Sequence, residues 1–538
     1  MRRLAFSSLC ALLVVFTIPL IAQHEAHGEG GGDVTAEVGE VAFANSGAPA
    51  AQEPFLRGLA LLHNFEYESA AEQFRQAQSI DPGFAMAYWG EAMTYTHPVW
   101  MQQDLDAARA VLDRLGKTPA ERLAKAGTER ERDYLRTLDV LYGDGTKEER
   151  DFRYSDAMAV LHQRYSDDVD ATAFYALSLL GTAHQGRDFA TYMRSAALLE
   201  EVFPTHLHHP GVLHYLIHSY DDPIHAPLGM RAARLYGAVA PNAGHALHMT
   251  SHIFVALGQW DEVIDANQKA MRVVDQHRAA KGQSPVACGH YPSWLHYAFL
   301  QERRFDDARK QLDACRQEAM DKFAKSAADA KDDWPAGAYE QMRLFQAIET
   351  GRWEAADPFA LPETAGADTR FTLAYGEALM AAGGDPQAFK AAAQRLRERQ
   401  KEQLAAIEKK KETDPAPRRR AEIIGRQIDA LEQIRQGKKD EGIAMLRQAA
   451  EAENATALEF GPPYIEKPTS ELLGDELLAL GRNAEAADAY RAALARAPGR
   501  TRSLQGLLRA QQALGQSDAA GQTRAQLQRY VRAEEPGR

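Results

Sequence analysis

Sulfur is scarce in this chain. Only three of its 538 residues are cysteine, and Cys10 falls inside an apolar run at the start, which leaves Cys288 and Cys315. Two thiolates cannot cage a metal ion by themselves, and no Cys-x-x-Cys occurs. Positive charge is also short: 62 Lys and Arg stand against 75 Asp and Glu, for a net charge of −13, and no basic stripe is present. Phosphate-rich partners need such a stripe, so nucleic acid is excluded as a partner. Long hydrophobic runs are missing beyond Leu9–Ala22, which is too short to span a bilayer, so no stable membrane insertion is expected. His-Glu-x-x-His, Gly-x-Ser-x-Gly and phosphate-binding Gly-rich loops are absent too, and the common protease, esterase and nucleotide-dependent classes lose support.

What is present begins with Met1-Arg2-Arg3, the apolar run to Ala22, and the polar stretch "QHEAHGEGGGD". A basic start, a short apolar segment and a small residue at its end predict a cleavable signal peptide over 1–22 and a periplasmic or secreted protein. Residues 23–50 lack periodicity and read as a flexible N-terminus, with His24 and His27 solvated. In an exported chain Cys288 and Cys315 permit one disulfide, and two buried thiols are the alternative.

Two distant segments share one pattern. In "GLALLHNFEYESAAEQFRQAQSIDP" (58–82), Gly58 is followed by Ala70, Phe74, Ala77 and Pro82. In "GDELLALGRNAEAADAYRAALARAP" (474–498), Gly474 is followed at the same offsets by Ala486, Tyr490, Ala493 and Pro498. The small residues let two antiparallel helices approach, the aromatic fills the space between neighbouring units, and proline ends the second helix. Weaker copies surround Trp260, Phe305, Trp353, Gly384 and Gly437, and "AYWGEAMTYTHPVW" supplies another first helix in which Trp89, Met93, His97 and Trp100 read mainly as core.

The pattern resembles the tetratricopeptide repeat, a helix–turn–helix unit of about 34 residues. The resemblance covers about residues 51–530, strongly at both ends and degenerately between. It implies an all-α fold, an α-solenoid of stacked units forming a right-handed superhelix. It also implies a protein, peptide or small ligand as partner in the concave groove. The units fall into N-terminal repeats (51–205), histidine-rich repeats (206–322), degenerate repeats with a charged helical segment (323–458) and C-terminal repeats (459–530). Residues 389–428 read as long solvated helices broken at Pro415 and Pro417. The proline-rich "EFGPPYIEKPTSELLG" (459–474) reads as a rigid loop able to cap a groove.

Histidine is the residue in excess. Twelve of the eighteen lie between positions 206 and 296. In the unit that turns at Gly258-Gln259-Trp260, the small site equivalent to Gly474 is Ser251. The family's groove-facing positions are then His252, His248 and His245, and helical spacing of three and four independently places them on one face. The preceding unit, closed by Pro241, has its small site at Ile217 and presents His218 and His214. The following unit has its small site at His296 and presents His290, after an insertion near "AAKGQSPVACG". Three consecutive first helices therefore carry six imidazoles toward one wall. Neighbouring helices pack about 8–10 Å apart, close enough for those imidazoles to share an ion.

Neutral imidazole suits a transition metal such as Zn, Cu or Fe. The expected site is metal-binding, through His214, His218, His245, His248, His252 and His290. A metal-free polar wall is the competing reading. Asp221 and Asp222 are placed to support these ligands, and Glu471 and Asp475 would join them if the superhelix curls enough. His296 reads as structural, and His206, His208 and His209 as solvated loop residues, while His225 is able to approach from its turn. The alternative function is a metal-dependent enzyme, hydrolase or oxidoreductase, that uses these histidines. Cys288 precedes the first helix of its unit and Cys315 ends the second, an arrangement that favours the disulfide.

Overall fold

The repeat signature has a direct steric meaning. A Cβ on Gly58 would lie 3.0 Å from the Phe74 ring, and one on Gly90, in the first helix of the next unit, would lie 2.3 Å from the same ring. Tyr490 repeats the arrangement between Gly474 and Gly506, with corresponding distances of 2.8 and 2.2 Å. Each aromatic is clamped between two glycines one unit apart, and any larger residue there would separate the helices. The helices Tyr67–Ile80 and Asn483–Arg496 stop just before Pro82 and Pro498.

The computed structural model describes residues 38–325, 334–353, 360–361, 364–410 and 414–530. Among these, 24 α-helices follow one another in antiparallel pairs, and a two-residue ladder (Thr96–His97 with Gln102–Gln103) is the one sheet. The molecule is an all-α solenoid. No helix among the described residues is long and apolar enough to cross a membrane. Residues 1–22, expected to form a signal peptide, lie outside the described residues. The charged segment forms two long helices, Pro386–Lys410 and Ala416–Arg435.

Two expectations are corrected. Residues 38–50, read as part of a flexible terminus, are packed: Phe43 is buried against Phe55, Trp89 and Tyr134 at ring distances of 5.6, 6.2 and 5.2 Å. The apolar Phe43 provides the reason, because it has a ready-made aromatic slot in the first two units. Nor does the middle of the array face an open groove, because both ends fold back on it. From the N-terminal side, Asn64 Oδ1 accepts from Tyr236 Oη (2.7 Å), and Glu66 Oε1 accepts from the His245 backbone N–H (3.0 Å). From the C-terminal side, Trp260 Nε1 donates to the Gly499 carbonyl (2.9 Å), Arg500 donates to Tyr297 Oη (3.0 Å), and Thr501 Oγ1 donates to the Gln301 carbonyl (2.6 Å). Gly258, in left-handed backbone at φ +67, permits the second approach, since a Cβ there would meet the Gly499 Cα at 2.4 Å.

Cys288 and Cys315 are disulfide-bonded, with Cα atoms 4.5 Å apart. The bridge ties the insertion that precedes His290 to the helix Phe305–Lys325.

Candidate metal centre

Three first helices carry the histidines: Pro210–Tyr220, Gly244–Leu257 and His290–Gln301. Every residue of the first is buried, as is Gly244–Val255 of the second, so these helices run through the interior rather than along a surface. Their imidazoles form one continuous array. Ring centroids are 4.8 Å apart for His214–His218, 5.1 Å for His214–His245, 5.9 Å for His218–His252, 5.0 Å for His248–His252 and 4.5 Å for His248–His290. All six histidines singled out from the sequence are thus brought together. They fall into two triads, His214/His218/His245 and His248/His252/His290, and within each triad one ligand atom per residue lies within 4.8 Å of the others.

In the first triad, His214 Nδ1 donates to the His63 carbonyl at 2.7 Å. That bond fixes the tautomer and leaves Nε2 as a lone pair. The Nε2 atoms of His214 and His218 are both buried with no hydrogen-bond partner. Burial lowers the His214 imidazolium to about 3 and holds that of His218 well below the ordinary range, so both rings are neutral at physiological pH. Phe65 packs over the triad at 4.3 Å from His214, 5.7 Å from His218 and 5.6 Å from His245, with Tyr236 and Trp100 beside it.

In the second triad, His252 Nδ1 donates to Asp221 Oδ2 at 2.5 Å and His248 Nδ1 donates to Asn267 Oδ1 at 2.6 Å. The Asn267 amide is oriented by its own Nδ2, which donates to the Val263 carbonyl. The Nε2 atoms of His252 and His248 face each other in a hydrogen bond of 3.1 Å. Nitrogens on one tetrahedral ion, with bonds of 2.0–2.1 Å, sit roughly 3.3–3.4 Å apart. Trp294 covers His252, His248 and His290 at ring distances of 4.4, 4.8 and 5.0 Å, and Phe460 lies 5.3 Å from His252. The proline-rich segment therefore caps the site. A Cβ on Gly461 would meet the Trp294 ring at 2.3 Å.

Carboxylates divide. Asp221 supports His252 and also lines a cleft with Trp260, Tyr297, Glu459, Phe460 and Arg496, in which burial raises the Glu459 carboxyl to about 7. Asp222 bonds instead to His225 Nδ1 (2.8 Å) and Arg187 (3.1 Å), and so holds His225 in its turn, away from the triads. Glu471 and Asp475 do not join the histidines. Glu471 accepts from Arg500 (2.6 Å), Lys467 (2.8 Å) and Ser503 (2.5 Å), and Asp475 accepts from Tyr490 (2.6 Å) and Lys467 (2.5 Å). Cations nearby in sequence satisfy them in a separate buried network.

Other histidines follow local bonding. His206 and His208 are loop residues, partnered by the Val202 carbonyl and Glu40. His296 is buried and bonds Gln346 at 3.0 Å, and burial lowers its imidazolium to about 4. His209, read as solvated, is buried: its Nδ1 caps the helix at Val212, and its Nε2 faces Asp170 at 3.3 Å. His63, missed in the sequence, reaches the same Asp170 oxygen at 2.9 Å and accepts from Tyr215 Oη at 3.0 Å. This third cluster is metal-like in composition but its nitrogens are already used. Nothing local marked His63, Phe65, Asn267, Trp294 or Phe460 as parts of the centre, although the resemblance placed the His63 turn in the first repeat.

No family model matches the chain, and no curated protein matches it. Among solved structures it is similar to the APC/C hetero-tetramer Cut9-Hcn1, with 13% identity, coverage of 87% of this chain and 78% of that one, and a TM-score of 0.33. It is also similar to a Rap protein complexed with competence and sporulation factor, with 11% identity, coverage of 88% and 99%, and a TM-score of 0.32. For yeast Tom70 the identity is 11%, the coverage 90% and 92%, and the TM-score 0.27. Similarity at this level carries no functional argument. The helical-repeat fold stands on the glycine-clamped helix pairs themselves.

Proposed function

We propose that this chain is an exported, tetratricopeptide-like metalloprotein that holds a transition-metal ion on imidazole nitrogens inside its middle repeats. One observation carries the reading: the buried Nε2 atoms of His214 and His218, on rings that burial keeps neutral, have no hydrogen-bond partner and lie within a cluster of six converging imidazoles. Orphaned acceptors in a dry interior cost about 1–3 kcal/mol each, and a bound cation offsets that cost. Ring-nitrogen donors select Zn, Cu or Fe over Mg or Ca. The start of the sequence supports export to the periplasm or secretion.

Because five of the six histidines are buried and Phe65, Trp294 and Phe460 pack over them, a peptide in a groove would touch at most the half-buried His290. The ligand suited to this site is small and reaches it from the cleft at Asp221 and Phe460. That cleft also favours the second reading, a metal-dependent enzyme. Glu459, its carboxyl raised to about 7 by burial, has the proton affinity of a general acid or base beside the centre.

Inductively coupled plasma mass spectrometry on protein purified without a histidine tag tests the proposal. Metal at or above one equivalent per chain, lost in a His214→Ala/His218→Ala/His248→Ala/His252→Ala variant that keeps its helical circular dichroism, is the expected result. Absence of metal together with no uptake of Zn, Cu or Fe would defeat the reading and leave a metal-free polar interior.

A further inference from the structure

The turn between the two helices of a unit has one recurring shape. At Gly258, Gly437, Gly481 and Gly515 the backbone is left-handed, with φ of +67, +90, +73 and +71, and the residue after each donates its N–H to the carbonyl five positions back. Glycine takes this conformation without strain. Two turns with the same hydrogen bonds break the pattern: Phe65 at φ +60 and Arg303 at φ +62. The remaining left-handed non-glycine residue among those described, Met101, sits in the loop of the two-residue ladder. Strained backbone of this kind persists where the side chain is put to use. Phe65 has such a use, closing over His214. Arg303 has none in the packing, since it is exposed and its ring contact is with Phe305 at 5.5 Å. A guanidinium over an exposed ring does no more than offset the strain.

What Arg303 does is line a pocket at the seam where the C-terminal unit folds back. Opposite it, the helix Thr501–Ala513 contributes Arg502, Gln505, Leu508 and Arg509, whose spacing places them on one face. Thr501 fixes the alignment: its N–H donates to Gln301 Oε1 (2.9 Å) and its hydroxyl to the Gln301 carbonyl (2.6 Å). Three guanidiniums thus share one pocket in a chain of net charge −13, and no carboxylate lines it. Arg502 has Glu471 and Asp475 at 3.9 Å each, but both already accept from Lys467, and Glu471 accepts from Arg500 as well. Among the described residues no carboxylate pairs with Arg303 or Arg509.

Like charges held together repel, and an anion between them removes the repulsion. The guanidinium fork matches the oxygens of an oxyanion. A singly charged carboxylate would leave most of the charge unanswered, whereas a phosphate group brings nearly two charges and three acceptor oxygens. We propose that Arg303, Arg502 and Arg509, with the Gln505 amide, form a binding site for a small dianionic oxyanion of the phosphate class. The arginines come from distant segments and form no stripe along which a nucleic acid could run. The site bridges the middle repeats to the C-terminal unit and does not depend on the histidine centre.

Isothermal titration calorimetry of the full chain with inorganic phosphate is expected to show one saturable site per chain, competed by sulfate and not by acetate at equal ionic strength. Phosphate should also raise the urea midpoint, because it binds the folded-back form alone. Arg303→Gly separates binding from folding, since glycine suits the left-handed turn. Its phosphate affinity should fall by about tenfold or more, while its urea midpoint without phosphate holds or rises. Arg509→Ala should lose affinity to a similar degree. Phenyl phosphate that binds no tighter than inorganic phosphate identifies the free anion as the ligand, and tighter binding identifies a phosphorylated small molecule; both support the site. No saturable phosphate binding overturns it, as does binding that both variants leave unchanged. Equal competition by acetate overturns the dianion class. Binding that vanishes after treatment with a chelator overturns the arginine site too, because the phosphate would then sit on a metal ion.

Discussion

The His63–Asp170–His209 cluster and the His214–His218–His245 triad are built from similar residues, lie in neighbouring layers of the same interior, and do opposite things. In the first, Asp170 accepts from both imidazoles, Tyr215 donates to His63, and the Val212 backbone donates to His209. Burial alone would raise the Asp170 carboxyl, but the hydrogen bonds from His209 and His63 outweigh it and hold the group below its ordinary range. In the second, no carboxylate intervenes, and the nitrogens of His214 and His218 that face inward have nothing to bond. One carboxylate converts a potential ligand set into a closed structural element. What identifies a candidate metal centre is therefore the state of its lone pairs rather than the clustering of histidines.

The largest expected effect that would expose this contrast is on acid stability. His63 and His214 are held to about 4 and about 3 in the fold, whereas an unfolded histidine titrates near 6.5. Between pH 6.5 and about 4 the unfolded chain binds more protons than the native one, so stability falls as pH falls. The loss is roughly 1.4 kcal/mol per pH unit for each such imidazole. Asp170 adds to the loss at still lower pH, since a carboxyl depressed in the fold contributes stability above its unfolded value and loses it as pH drops through the native one. Urea melts of metal-free protein from pH 7 to 4.5 should show this slope. Metal should flatten the share due to the triads and leave the share due to His63, and equal slopes with and without metal would contradict the distinction.

Asp170→Ala comes next. It strips a shared acceptor from two buried rings and should destabilise the protein by about 3–5 kcal/mol in urea unfolding. Metal stoichiometry in the remaining folded protein should not change. Loss of metal at the same time would mean that the third cluster also serves the centre.

Smaller still is the effect of Asn267→Ala, which removes the acceptor that fixes the His248 tautomer. Losing such an outer hydrogen bond should weaken metal affinity at the second triad by about 10–100-fold and leave the first unchanged. Competition against a chelator, read separately in His214→Ala/His218→Ala and His248→Ala/His252→Ala variants, would measure it. An equal drop at both triads would show that they do not bind independently.

Much of the fold was legible in the sequence because glycine and aromatic offsets are local. The Gly58–Phe74 and Gly474–Tyr490 pairs register the same steric requirement at both ends of the chain. The six histidines were legible for a related reason, since the repeat frame converts position into facing direction. What lay beyond reach were contacts across 150–240 residues. Phe65 closing over His214, Phe460 over His252, and Gly499 against Trp260 leave no periodic trace. Glu471 and Asp475 were misplaced because the frame gave their direction but not their partners Arg500 and Lys467, whose salt bridges outcompete a distant imidazole. His209 looked like a loop residue because a helix cap and a loop are indistinguishable until the opposing Asp170 is known.

The fold-back of both ends on the middle units has a further consequence for how the molecule comes apart. In an open repeat array each unit leans only on its neighbours, so terminal units fray first and the array unzips piecemeal. Here the Gly499–Thr501 turn grips Trp260, Tyr297 and Gln301, and the Asn64–Glu66 turn grips Tyr236 and His245. Loosening either end strips the cover from the central helices, so amide protons in the first and last units should exchange with solvent together with those of the histidine-bearing helices, as a single cooperative block.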